Sequence, residues 1–334
     1  MLINPGFECR EGTYPLEAAQ GGEMQIPVGW KVVFIDGSPW VYSTRMQVNG
    51  GACSEGGFVE RIEGEDSLAV FAQDIEWSDK PGKPFDVAVY QQVEATPGQA
   101  YSLSGWLLSL CGGSKVPSDC PEGNYIAKLL GMDPTGGVDP LADSVIWVEN
   151  RENFVGSQGE RIGWQNLYTA AVAQADVLTV FARVTSPFQW HGNHALIDAF
   201  SLVEAPTAQL GALPAQVDDF RVDISWSGQQ SPQIQAIPSG AYELTFDVQF
   251  RVGEEGAWQT WQERTPAGSA SFVAKAANTP HFFRVRAFAA QPEGVPGAWP
   301  NHRYPGVWSE PVQVTFLQEP PEQPFNVFVP IVNR

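Results

Sequence analysis

The chain has 334 residues, 43% of them hydrophobic, with 12 Trp, 33 Gly, 27 Pro and a net charge of −19. That is apolar material for two domains, with too many turn formers for long helices. The negative field disfavours phosphate backbones, so no nucleic acid partner is expected, and no apolar run is long enough to imply membrane insertion.

Val, Phe, Trp, Tyr and Thr recur in short runs between Gly, Pro and Asp clusters, which predicts an all-β chain. In residues 1–205 the predicted strands are Leu2–Cys9, Trp30–Asp36, Ser67–Gln73, Asp86–Ala95, Ala100–Ser109, Tyr125–Met132, Ser144–Val148, Trp164–Ala173, Asp176–Val184 and His194–Glu204. The long polar stretch Glu11–Val28 reads as a surface loop. Pro97-Gly98 reads as a turn that pairs the strands on either side of it. Ala205–Ala215 is rich in small residues and Pro, so 206–215 reads as a linker between a first domain, 1–205, and a second, 216–317. Residues 318–334 form a Pro-rich tail with a short apolar end. The acidity is uneven: 26 acids against 11 bases in 1–205 (−15), then 12 against 8 (−4). It suits calcium or neutral ligands, and it suits solubility alone.

Four cysteines allow three connectivities. Cys111 and Cys120 flank a turn-rich loop and could staple a hairpin, leaving Cys9 with Cys53. Disulfides would imply export, so an extracellular or cell-surface location is expected.

The opening Leu2-Ile3-Asn4-Pro5-Gly6-Phe7-Glu8 and the later His194–Leu202, with Ile197-Asp198-Ala199-Phe200 at its centre, resemble the first and last strands of jelly-roll carbohydrate-binding modules. Gly64-Glu65-Asp66-Ser67-Leu68 resembles the segment beside the calcium site of the same modules. The resemblance implies a jelly-roll β-sandwich with a structural calcium held by Glu8, Asp198 and Asp66. It also implies that Trp30, after Pro27-Val28-Gly29, is buried. Residues 216–317 resemble a fibronectin type III domain, through Val222–Trp226, Phe246–Val252, Phe282–Ala287 and Trp308-Ser309-Glu310-Pro311. Phe283, Val285 and Ala287 alternate with Arg284 and Arg286, as a half-buried strand should. Where such domains place a corner tyrosine, this chain has His281, which either forms the tie through a ring nitrogen or leaves it absent.

Sugar rings stack on aromatic faces and need polar groups at their edges. Most of the aromatics must be core, Trp147 and Trp164 among them. The candidates in polar or loop surroundings are Trp40, Tyr42, Trp77, Trp190 and His191. Alternation along Tyr101–Leu108 puts Trp106 on the outer face of its strand, and Tyr90 and Gln92 are placed the same way in the strand before it. These residues would form a platform for a polysaccharide or glycan. No pair of carboxylates fits a glycosidase pattern, and neither a nucleophile motif nor a P-loop occurs, so the chain reads as a binding protein and not an enzyme. A structural or adhesive surface protein is the alternative. The apolar end, residues 325–332, separates the two: it docks on its own chain in the binding reading and supports homo-assembly, in another copy of the chain, in the structural one.

Overall fold

The computed structural model describes residues 1–19, 22–44, 53, 61–71, 84–110, 126–152, 163–186, 194–237, 242–291 and 302–318. Trp77, Trp190, His191, Cys111, Cys120 and residues 325–332 lie outside them. Two compact units divide the chain. The first is Met1–Pro206 together with Gln230–Glu243 and Phe288–Val307; the second is Thr207–Gln229, Leu244–Ala287 and the chain from Trp308.

The first unit is a sandwich of two five-stranded antiparallel sheets. Its strands are β1 (Thr13–Glu17), β2 (Glu23–Pro27), β3 (Lys31–Asp36), β4 (Trp40–Thr44), β5 (Ser67–Phe71), β6 (Phe85–Glu94), β7 (Ala100–Leu110), β8 (Ala127–Asp133), β9 (Ile146–Asn150), β10 (Gln165–Val172), β11 (Val177–Ser186) and β12 (His194–Glu204). One sheet runs β10-β7-β12-β5-β4 and the other β3-β6-β11-β8-β9, with β1 and β2 as a separate hairpin. Period-two alternation sends Val87, Val89, Leu103, Leu107, Leu130 and Val180 into one core between the sheets.

Three local expectations are corrected. Leu2–Cys9 is not a strand: Asn4 and Phe7 take positive φ, of 48° and 56°, and a 3₁₀ turn follows at Cys9–Glu11. The turn is held by the Asn4 side chain, whose Oδ1 accepts the Glu8 N–H at 2.6 Å while its Nδ2 donates to the Glu8 carbonyl at 2.9 Å. Glu11–Val28 is not loop throughout but contains the β1–β2 hairpin, which packs Tyr14, Leu16, Met24 and Ile26 on the core. The strands either side of Pro97-Gly98 do not pair. β6 joins β3 and β11, β7 joins β10 and β12, and the turn carries the chain from one sheet to the other.

The remaining strands, most of them in the second unit, are β13 (Thr207–Leu210), β14 (Gln216–Val217), β15 (Arg221–Gln229), β16 (Glu243–Val252), β17 (Gln259–Thr265), β18 (Ser269–Val273), β19 (Pro280–Ala290), β20 (Arg303–Pro305) and β21 (Val312–Phe316). Glu243, the end of β19 and all of β20 belong to the first unit. The sheets run β13-β15-β18 and β14-β21-β19-β16-β17, the strand order of a fibronectin type III domain. Thr207–Leu210, expected as linker, is an edge strand here, paired to β15. The core is aromatic, with Phe250, Phe272, Phe283 and Phe316 around Val248 and Val285. His281 does form the corner tie. Its ring is fully buried; Nε2 accepts the Lys275 N–H at 3.1 Å, and Nδ1 lies 2.9 Å from the Thr279 carbonyl. Both contacts are satisfied by the neutral ring with its proton on Nδ1.

Candidate functional site

The acids expected to hold calcium meet around one loop, residues 61–66. Glu8 accepts the Glu65 N–H at 2.9 Å and the Asp66 N–H at 3.4 Å. Asp198 accepts the Ile62 N–H at 2.6 Å and the Glu63 N–H at 3.1 Å on Oδ2, and the Ala199 N–H on Oδ1. Asp66 closes the ring by accepting the Cys9 N–H at 2.9 Å. Cys9 is bonded to Cys53, with Cα atoms 5.7 Å apart. Gly64 has φ +62°, and a Cβ there would fall 1.6 Å from Glu8 Oε1, so only glycine lets the carboxylate lie against the loop. The closing strand bulges after Asp198, Ala199 takes φ +51°, and the Phe200 N–H reaches the Pro5 carbonyl at 3.0 Å. Beneath this knot the rings of Phe7, Trp30 and Phe200 pack at 4.7–5.5 Å, with Trp30 buried as expected and its Nε1 donating to the Asn4 carbonyl.

Burial pushes the carboxyls of Glu8 and Asp198 above the usual carboxylate range, Asp198 strongly. Three backbone N–H groups nevertheless aim at the two Asp198 oxygens, a pattern that suits the ionised form. Arg10 stands 3.8 Å from Glu8, while Asp198 has no basic side chain beside it among the described residues. Hard oxygens at a buried, negatively charged loop are the donor chemistry that Ca²⁺ takes. Among the described residues no three His, Cys, Asp or Glu side chains are close enough to share a metal ion. An ion here would therefore combine at most two carboxylates with carbonyl oxygens.

The aromatic candidates do not form one surface. Trp106 points to the outer face of its sheet, as expected, but it is only 3% exposed. It packs with Ile62, Ala69, Leu108, Trp164 and Leu196, and the His302 ring lies 6.2 Å away. Trp40 and Tyr42 are half-buried beside the same cluster, and burial pushes the Tyr42 hydroxyl up to about 12. Tyr90 and Gln92 lie on the other sheet, away from Trp106. The turn that transfers the chain between sheets separates them. Tyr90 is nearly covered, with Lys31 Nζ 5.8 Å above its ring, and exposed Gln92 donates to the Gly136 carbonyl at 2.9 Å.

That second sheet carries an aromatic expected in the core. Trp147 on β9 stands directly opposite Gly131 on β8. A Cβ on Gly131 would come within 2.5–2.9 Å of three Trp147 ring atoms, so the indole lies flat across the glycine on the sheet's outer face. The residue stays half-buried. Beside it are Phe181, with centroids 5.7 Å apart, and the Arg183 guanidinium, 5.9 Å from the ring centroid. Asp86 fixes Arg183 through a two-pronged pair, with Nε to Oδ1 at 2.8 Å. The usable sequence signal was the pairing of a Gly and a Trp on the outward positions of neighbouring strands.

The fold thus defines a two-unit all-β protein, with a jelly-roll β-sandwich followed by a fibronectin type III-like sandwich. No protein-family model matches the chain, and no curated protein does. Among solved structures it is similar to TmCBM61 in complex with β-1,4-galactotriose, at 17% identity over 61% of this chain and 97% of that one, TM-score 0.35. It is also similar to the adhesin domain of Epf from Streptococcus pyogenes (10% identity, 92% and 98% covered, TM-score 0.27). A third match is chicken CNTN1 FN1-FN3 domains (12% identity, 75% and 94% covered, TM-score 0.23).

Proposed function

We propose that the first unit is a non-catalytic, extracellular carbohydrate-binding module whose platform is the outer face of the β3-β6-β11-β8-β9 sheet, centred on Trp147. One observation carries the reading: an indole laid flat on Gly131, beside a guanidinium–carboxylate pair that is already fixed. A pyranose presents a C–H face to such a ring, and its hydroxyls can donate to Asp86 and accept from Arg183. A structural calcium, held by Glu8 and Asp198 with carbonyls of the 61–66 loop, locks the end of the sandwich and takes no part in sugar contact. The second unit serves as a spacer. The Cys9–Cys53 bond supports an exported protein.

The test is a polysaccharide and glycan screen of the full chain and of Trp147→Ala. The wild type should bind a neutral glycan, and the variant should lose that binding with an unchanged melting midpoint. A variant that binds as well as the wild type would remove the platform. A wild type that binds no neutral glycan would remove the carbohydrate reading.

A further inference from the structure

The second unit carries a stack of cations and rings on one face of its larger sheet. The Arg251 guanidinium lies 4.8 Å from the Phe282 ring and 4.9 Å from Trp258. Arg284 lies 4.2 Å from Trp258 and 4.4 Å from Trp308, and Arg286 follows at 4.5 Å from Trp308. Rings and guanidiniums therefore alternate along the stack, and all six residues are half-buried. Arg284 and Arg286 are two apart on β19, so their guanidiniums start from positions about 7 Å apart on one side of the strand. Two acceptors serve the row: Gln249 takes two bonds from Arg284, at 2.7 and 3.0 Å, and Asp247 pairs with Arg286 at 2.8 Å. Arg251 donates no side-chain hydrogen bond among the described residues, and its Nε is buried without a partner. The Nη1 edge of Arg284 is likewise unclaimed there. Burial and the like charges of Arg286 and Arg251 pull Arg284 below the usual guanidinium range.

We infer that this ladder is a second ligand site, one that binds the carboxylates of an acidic polysaccharide. Stacking fixes the plane of each guanidinium, which removes much of the ordering cost of binding. It leaves to a carboxylate the N–H groups that Gln249 and Asp247 do not already take, above all those at the tip of Arg251. Three arginines against one aspartate make the row cationic on a strongly acidic chain. Arginines cover the faces of Trp258 and Trp308, so neither a nucleobase nor a neutral sugar can stack there. What remains for an oxyanion is the terminal nitrogens of Arg251 and the Nη1 edge of Arg284, two neighbouring seats that suit carboxylates repeated along a stiff sugar chain. The site lies wholly in the second unit and does not depend on the Trp147 platform.

The experiment measures binding of the full chain to polygalacturonate, to its fully methyl-esterified form and to polyglutamate, at two salt concentrations. Polygalacturonate should bind and weaken with salt; the ester and polyglutamate should not bind. Arg251→Gln should weaken polygalacturonate binding about tenfold or more, Arg251→Lys should fall between, and Trp147→Ala should leave it unchanged. Equal binding of the ester overturns the carboxylate assignment, and equal binding of polyglutamate overturns the polysaccharide. A folded Arg251→Gln protein with wild-type affinity overturns the site. Should that variant fail to fold, the ester comparison on the wild type still decides.

Discussion

Glu8 and Asp198, from opposite ends of the first unit's main segment, grip neighbouring peptides of the same loop. Asp198 takes the N–H groups of residues 62 and 63, and Glu8 those of 65 and 66. Each carboxylate compensates its own burial with backbone donors, and Gly64 between those donors lets Glu8 come close. Asp198→Asn would turn an amide NH₂ or a weaker acceptor toward these donors and should cost about 1–3 kcal/mol in denaturant unfolding. Added calcium should raise the melting midpoint of the wild type and not that of the variant. If calcium raises neither, the acids are loop clamps without an ion.

The Cys9–Cys53 bond fastens the segment beside Glu8, and it closes 44 residues of chain. The chain-entropy estimate for a loop of that length is about 4 kcal/mol. Cys9→Ser/Cys53→Ser should therefore unfold well before the wild type. It should also respond less to calcium, because Cys9 donates to Asp66 within the knot. A double variant with the wild-type midpoint would contradict this.

Lys128 is fully buried on β8, donating to Ser109 Oγ at 2.7 Å and to the Glu152 carbonyl, and burial lowers its pKa from 10.5 to about 7. The unfolded chain keeps its proton up to the ordinary value, whereas the folded one releases it near 7. Between those values the unfolded state binds more protons, so stability should rise as pH goes from 7 to 9. Lys128→Met should flatten that slope in urea unfolding measured across the range. An unchanged slope would mean that the lysine keeps an ordinary pKa.

His281 works in the acid range. Burial holds its pKa below 6.5, and its neutral ring makes both corner contacts. Its contribution is complete above the unfolded value and is lost as pH falls below about 6.5 toward the folded value. The full chain should lose stability from pH 7 to 5, and His281→Gln, which does not titrate, should lose less. Parallel pH curves for the two proteins would exclude His281 as the source.

Gly131 is the seat of Trp147. Gly131→Ala puts a methyl where the ring lies and should cost about 1–3 kcal/mol through overpacking. It should also lift the indole off the sheet and weaken glycan binding, as measured by titration, even under conditions where the variant is fully folded. Undiminished binding would show that the flat seating of the ring is irrelevant to the ligand.

Much of the frame was legible in the chain. Alternation placed Trp106, Tyr90 and Gln92 on outer faces and Phe283, Val285 and Ala287 in a core, and the resemblance brought Glu8, Asp198 and the Gly64–Leu68 segment together, although the Asn4–Glu8 turn was read as strand. The hairpins were less legible. Tyr14/Leu16 and Met24/Ile26 alternate too, but Glu11–Val28 was read by its polarity. The Pro97-Gly98 turn was read as a pairing hairpin, although the same turn serves a chain that changes sheets.

By itself, the sequence determined which side of each strand a residue faces, because side-chain direction alternates locally with period two. Only the tertiary structure decided what lies over that side. His302, distant in sequence, covers Trp106, while a glycine on the neighbouring strand leaves room for Trp147 to lie on the surface. Burial depends on contacts between remote segments, and those are set by how the whole chain packs and not by local pattern.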